Sequence, residues 1–477
     1  KVMALAIDST ININQIRASV HSRVLWLATA IVNHANNVRA NSDGTKVGGH
    51  QSSSASSVAI LSALFFETMK SDDRIAIKPH ASPVFHAIQY LLGELEESYL
   101  ERFRAYGGLQ AYPSRTKDPE IVDFSTGSVG LAGPAALFGA LTRDYLETHS
   151  LEPTSGRFYA HLGDAEMDEG SMWEAVIEPV LNGIDRCTWV VDVNRQSLDR
   201  VVPGIRVRQF MDMLTANGWT VLTAKYGDRL TELMHRPGGE ALRRRIDDMS
   251  NEEYQGLLVS DHGELKGRLL NGAGKGRSDI QRCVGDVDDD ELYERITNLG
   301  GHDVGYLSRL LKKATDTPGS TAVFAYTVKG WGLHSAADPR NHAATLTPKQ
   351  FDQLAETTGR DPANPWERFS ESSTEHKYID DAIRRLGIRD TTVEPPLKFV
   401  DTQMSIPNVA STQDAFSRML LELDRTSPES AGRIVTTSAD VATSTGLSSW
   451  INRSAVWSRN EDLDYLGFGE RLLKWIP

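Results

Sequence analysis

The sequence predicts an α/β fold: a parallel sheet flanked by helices, followed by the start of a second α/β domain. Three observations carry that expectation. Uninterrupted apolar runs of strand length recur, "CTWVVDV" at 187–193 and "STAVFAYT" at 320–327 among them. Runs that are apolar on both alternations suit strands covered on both faces. Helix-length segments separate these runs, which is the alternation of βα units. Polar residues able to hold a ligand follow the runs directly, where open parallel sheets bind their ligands.

The elements follow in order. Residues 9–38, "STININQIRASVHSRVLWLATAIVNHANNV", read as one or two helices opened by a Ser/Thr cap. A Gly/Ser-rich stretch, 43–57, leads into an Ala/Leu/Phe helix at 58–69. A short strand, "DRIAI" at 73–77, ends at "KPHASP", and a helix runs through 85–95. At 123–146 a turn opens into a helix rich in small residues. A strand at 157–162 and a helix near 172–183 follow, with Pro179 expected to kink or shorten that helix. Residues 187–193, 218–224 and 320–327 are further strands, and the charged segment 228–297 reads as a peripheral helical layer. These elements define a first domain over 1–387. Pro395, Pro396 and Pro407 mark 388–408 as a linker. Residues 409–477 offer one capped helix, a strand at 433–441 and an open aromatic set, Trp450, Trp457, Phe468 and Trp475. That is less than an independent α/β domain, and such a set is expected to find an interface.

Composition narrows the function. The 477 residues are 40% hydrophobic and 24% charged, ordinary for a globular protein, with a formal charge of 51 − 64 = −13. That balance argues against general nucleic-acid binding, which needs a basic face. No apolar run is long enough to span a bilayer. The only cysteines, Cys187 and Cys283, fit a reducing cytosol rather than a disulfide framework. The opening "KVMALAIDST" has neither an initiator Met nor a signal-peptide profile.

The chemistry concentrates in "GDAEMDEG" at 163–170, where four acids crowd the end of an apolar strand, and in "DVNRQSLD" at 192–199. Asp164 and Asn194 fall at the carboxyl ends of strands that the intervening helix should make neighbours. A carboxylate, an amide oxygen and a backbone carbonyl form a hard oxygen set suited to magnesium with phosphate oxygens as further ligands. Glu166, Asp168 and Glu169 have a second reading, as acids complementing a helix dipole. His50 follows two glycines, and His80 lies between two prolines after a strand. His302 reads as a residue that opens a helix rather than as a catalyst.

Seven stretches in order resemble one family: "GGHQSS", "KPHASP", "STGSVGLAGP", "LGDAEMDEG", "DVNRQSLD", "GGHDV" and "YTVKGWG". The pattern is similar to that of thiamine-diphosphate enzymes. Within them it resembles the single-chain, homodimeric-type pyruvate dehydrogenase component of the transketolase-like superfamily. The resemblance implies a thiamine-diphosphate-binding fold over 1–387 and the incomplete start of a pyrimidine-binding domain over 409–477. It implies Mg2+ held by Asp164, Asn194 and the Gln196 carbonyl. It implies a cofactor site of His50, His80, Ser128, Gly163, Asp164, Ala165, Glu166, Asn194 and Lys329, with His50, His80 and His342 as catalytic residues. Two positions depart from the pattern. Ala165 stands where the family has glycine, and Asp192 where related sequences often carry Asn.

The activity implied is thiamine-diphosphate- and magnesium-dependent decarboxylation of a 2-oxo acid such as pyruvate, in a 2-oxo acid dehydrogenase complex. Transketolase-like two-carbon transfer and a non-catalytic subunit are the alternatives. The expected partners are a chain or fragment completing the pyrimidine-binding domain, a second such unit forming a dimer, and a lipoyl acyltransferase core. Nucleic acid and membrane are not expected, and the location is cytoplasmic.

Overall fold

The computed structural model describes residues 12–40, 44–127, 129–149, 155–197, 200–201, 204–338, 340–387, 409–438, 440–457 and 475–476. The chain divides into two compact units. One comprises Lys1–Leu141 with Thr154–Arg389, the other Thr142–Pro153 with Asp390–Pro477.

The first unit is built on five strands: β1 (Arg74–Ala76), β2 (Phe158–Gly163), β3 (Cys187–Val193), β4 (Thr220–Ala224) and β5 (Thr321–Tyr326). All neighbours are parallel, in the order β1-β2-β3-β5-β4. Every residue of the central β3 is buried. Alternate side chains of a strand serve opposite faces, and the packing shows it. Tyr159, Val190, Val323 and Ala325 join one apolar layer, whereas Trp189, Val191, Val193, Ala322 and Phe324 join the other. This is why the strand runs are apolar throughout.

The first layer holds α1 (Ile13–Asn33), α2 (Gln51–Ala55), α3 (Val58–Ala63) and α4 (Ser82–Leu92). The cap of α1 is Asn12, whose Oδ1 accepts the Asn14 N–H at 3.0 Å. The expected Ser/Thr cap at 9–10 lies outside the described residues. On the other face are α5 (Ala132–Thr148), α6 (Gly170–Ile177) and α7 (Gly204–Ala216). The small residues of α5 have a steric reason. A Cβ at Gly133 would fall 2.6 Å from Met172 Cε and 2.8 Å from Trp189 Cζ2. As expected, α6 stops before Pro179, and a single 3-10 turn, Pro179–Leu181, follows. Short helices between Asp228 and Ile296 pack around Leu230, Leu242, Leu265, Cys283 and Leu292. The chain then returns to the sheet through α8 (Val304–Thr315).

In the second unit α9 (Thr412–Thr426) is capped by Ser411, whose Oγ accepts the Asp414 N–H at 3.0 Å. Two expectations need correction here. No strand forms among the described residues of 433–441. The Arg433 and Ile434 amides instead bond back to the Ser430 and Ala431 carbonyls in a turn. A lone strand has no ladder partner for its backbone, and Val435 is exposed. Trp450 is not part of an open surface either. It is 3% exposed, packed with Leu420, Leu423, Ala431 and Leu447. The Trp457 indole N–H donates to Thr148 Oγ1 at 2.9 Å. Phe468 and the expected linker, 388–408, lie outside the described residues, as does the Trp475 side chain.

Among the described residues no helix is long and apolar enough to cross a membrane. Cys187 and Cys283 are free thiols, both buried.

Candidate active site

The order β1-β2-β3-β5 sets four carboxyl ends side by side, and each delivers a polar residue. β1 leads through Lys78 into a 3-10 turn, Pro79–Ala81, that carries His80. β2 runs into Asp164, β3 into Asn194 and β5 into Lys329. The register pairs Gly163 with Asp192 and Asp192 with Ala325, so these ends stay level. Together with His50 and His342 they line one cavity of about 580 Å³. Gly163, Ala165 and Glu166 line it too. Ser128 lies outside the described residues, although its neighbours Gly127 and Val129 face the same cavity. Gln196 stands in a two-residue strand paired with 200–201.

The floor of the cavity is an acid cluster with a built-in cation. Asp192 is wholly buried. Its Oδ2 accepts from Lys78 Nζ at 2.5 Å, Ser56 Oγ at 2.6 Å, Ser57 Oγ at 3.3 Å and Asn194 Nδ2 at 3.4 Å, and Thr327 Oγ1 donates to its other oxygen. Burial alone would raise this carboxyl. The Lys78 ammonium and the hydroxyl donors reverse that and hold it well below the usual carboxylate range. Asp164, 4% exposed, accepts the Arg195 N–H at 2.6 Å. Burial and the neighbouring Asp192 charge push its carboxyl up to about 7. A buried carboxylate of that kind, beside an amide held by Asp192, suits a hard divalent cation.

Glu166, which lines the cavity, has a further task. Its oxygens accept the Gly163 N–H at 3.0 Å and the Gly130 N–H at 2.9 Å, tying two loops of the cavity wall together. Asp168 pairs with Arg206 on the surface. Ala165, inside the 3-10 turn Asp164–Asp168, is not among the residues with positive φ, so a methyl group is accommodated there without backbone strain.

The opposite wall is imidazole. The His50 and His80 rings lie 4.1 Å apart, and His342 is 5.2 Å from the first and 5.5 Å from the second. His50 has φ 53, reached through Gly48 and Gly49. Gly49 has φ 147, and a Cβ there would sit 2.6 Å from Val32 Cγ1. Backbone turn and close approach together demand glycine at this point. Burial, then the nearby His342, lowers His50 to about 4. Burial, then His50 and Lys78, lowers His80 to about 2. Lys329 Nζ is 3.2 Å from His342 Nδ1. An ammonium only donates, so Nδ1 accepts and Nε2 carries the proton. The segment bearing both residues is pinned by Gly330 N–H to Ser52 O at 2.9 Å and by Asn341 Nδ2 to Lys329 O at 3.2 Å.

His302 behaves as the sequence suggested. It stands before α8, its Nε2 accepts the Val328 N–H at 2.8 Å, and it does not line this cavity. Lys78 was missed as a site residue. Its only signals were its place in "KPHASP" and the unusual acid at 192.

The parallel sheet and its flanking helices have a transketolase-like fold. The transketolase from Leishmania mexicana superposes with a TM-score of 0.54 at 16% identity, over 91% of this chain and 53% of that one. The Campylobacter jejuni transketolase gives 0.53 at 17% identity, over 79% and 47%. No protein-family model matches the chain. In sequence, the chain is related to pyruvate dehydrogenase E1 components. It is 28% identical to that of Escherichia coli strain K12 over 389 residues, which is 76% of this chain and 42% of the relative. It is 27% identical to that of Corynebacterium glutamicum over 467 residues, 90% of this chain and 49% of the relative. The chain thus spans about half the length of the curated relatives it matches.

Proposed function

We propose that this chain carries the metal- and diphosphate-binding half of a thiamine-diphosphate-dependent 2-oxo acid dehydrogenase, with pyruvate as the substrate to test first. One observation carries the proposal: Asp164, Asn194 and three close imidazoles share one cavity at the sheet's carboxyl edge. Asp164, Asn194 and the Gln196 carbonyl would hold Mg2+. Gly163, Ala165, Glu166, Ser128 and Lys329 would surround the diphosphate. The bound cofactor would supply the electron sink needed when carbon dioxide leaves. His50 and His80, neutral at pH 7, can accept a proton there. His342, fixed by Lys329, presents its Nε2–H to a substrate oxygen.

The rest of the cofactor site would come from a pyrimidine-binding domain, on the same polypeptide or on another. The working assembly would be a dimer of such units, delivering its product to a lipoyl acyltransferase core. The two reduced thiols fit a cytoplasmic location.

The test is calorimetric titration of thiamine diphosphate into the chain together with its pyrimidine-binding half, with magnesium and with chelator. Asp164→Ala should lose the magnesium-dependent part of binding while its circular dichroism stays that of the wild type. His80→Ala should lower pyruvate turnover more than cofactor affinity. Unchanged magnesium-dependent affinity in folded Asp164→Ala would overturn the reading.

A further inference from the structure

The residue that follows Asn194 opens a second cavity. Arg195 has φ 59, a left-handed conformation uncommon outside glycine. While its backbone N–H turns to Asp164, its side chain enters a separate hollow of about 770 Å³. The guanidinium is buried, with Arg195 only 9% exposed. Nη1 donates to Asn251 Oδ1 at 3.0 Å, and the group lies 5.4 Å from the Tyr254 ring centroid and 6.0 Å from that of Tyr326. Nε and Nη2 are buried with no hydrogen-bond partner. Among the described residues no carboxylate pairs with Arg195.

That pattern is chemically specific. A buried donor left unpaired costs free energy, and a buried charge costs more. Nε–H and Nη2–H form the edge of the guanidinium that grips a carboxylate or phosphate with two parallel bonds. The hollow keeps the sign. Of its charged lining, Lys225 and Asp247 pair with each other, and Asp247 also accepts from the Tyr226 hydroxyl, which leaves Arg195 and Arg208 against Glu252. The remaining lining is largely apolar, including Val207, Met211 and Ile246. A cavity of this volume, with an apolar patch beside a buried guanidinium, fits a small organic molecule.

We infer that this hollow is a second ligand site, taking a small organic anion whose carboxylate or phosphate pairs with Arg195, whose Nε and Nη2, closed to solvent in this structure, turn toward the ligand on binding. It stands independently of the function proposed for the first cavity.

The test uses the full chain and three probes: phenyl phosphate, benzoate and inorganic phosphate, each titrated by calorimetry. Phenyl phosphate or benzoate should bind more tightly than inorganic phosphate. Arg195→Met should weaken that binding by at least about tenfold, and Arg195→Lys should also weaken it, because an ammonium lacks the two-pronged edge. Thr223→Trp, at an exposed strand position lining the hollow, should block binding with Arg195 intact. This second variant covers the case in which Arg195→Met fails to fold. His80→Ala, in the other cavity, should leave binding unchanged. No binding to the wild type, equal binding by Thr223→Trp, loss in His80→Ala, or preference for inorganic phosphate would each overturn the inference.

Discussion

Replacing Lys78 with Met should destabilise the first unit by about 3 kcal/mol, the low end of the ~3–5 kcal/mol range for breaking a buried ion pair. The side chains of Lys78 and Asp192 are 4% and 0% exposed, and the contact is 2.5 Å. Methionine keeps the length of the lysine stem and removes the ammonium, leaving a buried carboxylate without its cation. The low end applies because Ser56, Thr327 and Asn194 still donate to that carboxylate. The pH signature follows from the same pair. Asp192 titrates below its unfolded value of about 3.9, so its contribution is present above that pH and is lost as the pH falls through the folded value. In Lys78→Met this contribution disappears and acid unfolding moves to higher pH. Urea unfolding followed by tryptophan fluorescence measures both effects. The double variant Lys78→Gln with Asp192→Asn, a neutral amide pair, should recover most of the loss. A Lys78→Met change below about 1 kcal/mol, the size seen for exposed pairs, would refute the reasoning. So would a double variant no better than the single.

Other expectations concern different parts of the chain. His86 and Glu120 form a wholly buried pair; burial opposes charging of the imidazole, but the Glu120 and Asp118 carboxylates outweigh it and raise His86. Its stabilisation is therefore full below about pH 6.5 and is lost as the pH rises through the folded value, so the melting temperature should fall with alkalinity and do so less in His86→Gln. Gly49→Ala should cost about 1–3 kcal/mol in urea unfolding, and Val32→Ala should relieve only part of it, because the contact disappears but the backbone angle does not. The ligand atoms of His50, His80 and His342 lie within 4.8 Å of one another, and His50 and His80 are held neutral, so Zn2+ should bind. Calorimetry should show that binding at least about tenfold weaker in His80→Ala, and an unchanged affinity would place the zinc elsewhere.

The sheet was legible because strand length and two-sided burial leave the same mark, an unbroken apolar run, as in 187–193. The site was legible where a polar residue directly follows such a run, as Asp164 and Asn194 do. Interactions between segments distant in sequence were not. Lys78 and Asp192 are 114 positions apart, so the acid at 192 read as a departure without its compensation. Glu166 read as a wall residue or a dipole acid; it does line the cavity, but nothing local announces that two glycine amides will claim its oxygens. The strand expected at 433–441 failed for a tertiary reason. Alternation can propose a strand, but only a neighbouring edge can stabilise one, and the first residues of that stretch form a turn.

The Lys78–Asp192 pair also constrains how this sequence could have arisen. A lineage starting from a neutral pair of side chains cannot change either position alone without stranding a charge in the core beneath the cavity. Introducing the acid first leaves an uncompensated anion among Ser56, Ser57 and Thr327. Introducing the base first buries a cation with no carboxylate to meet it. Both single steps are disfavoured and only the pair is tolerated, which is sign epistasis between the turn after one strand and the interior of another. Across relatives of this chain, positions 78 and 192 should therefore covary, acid appearing with base and amide with neutral residue, however far the rest of the two segments has diverged.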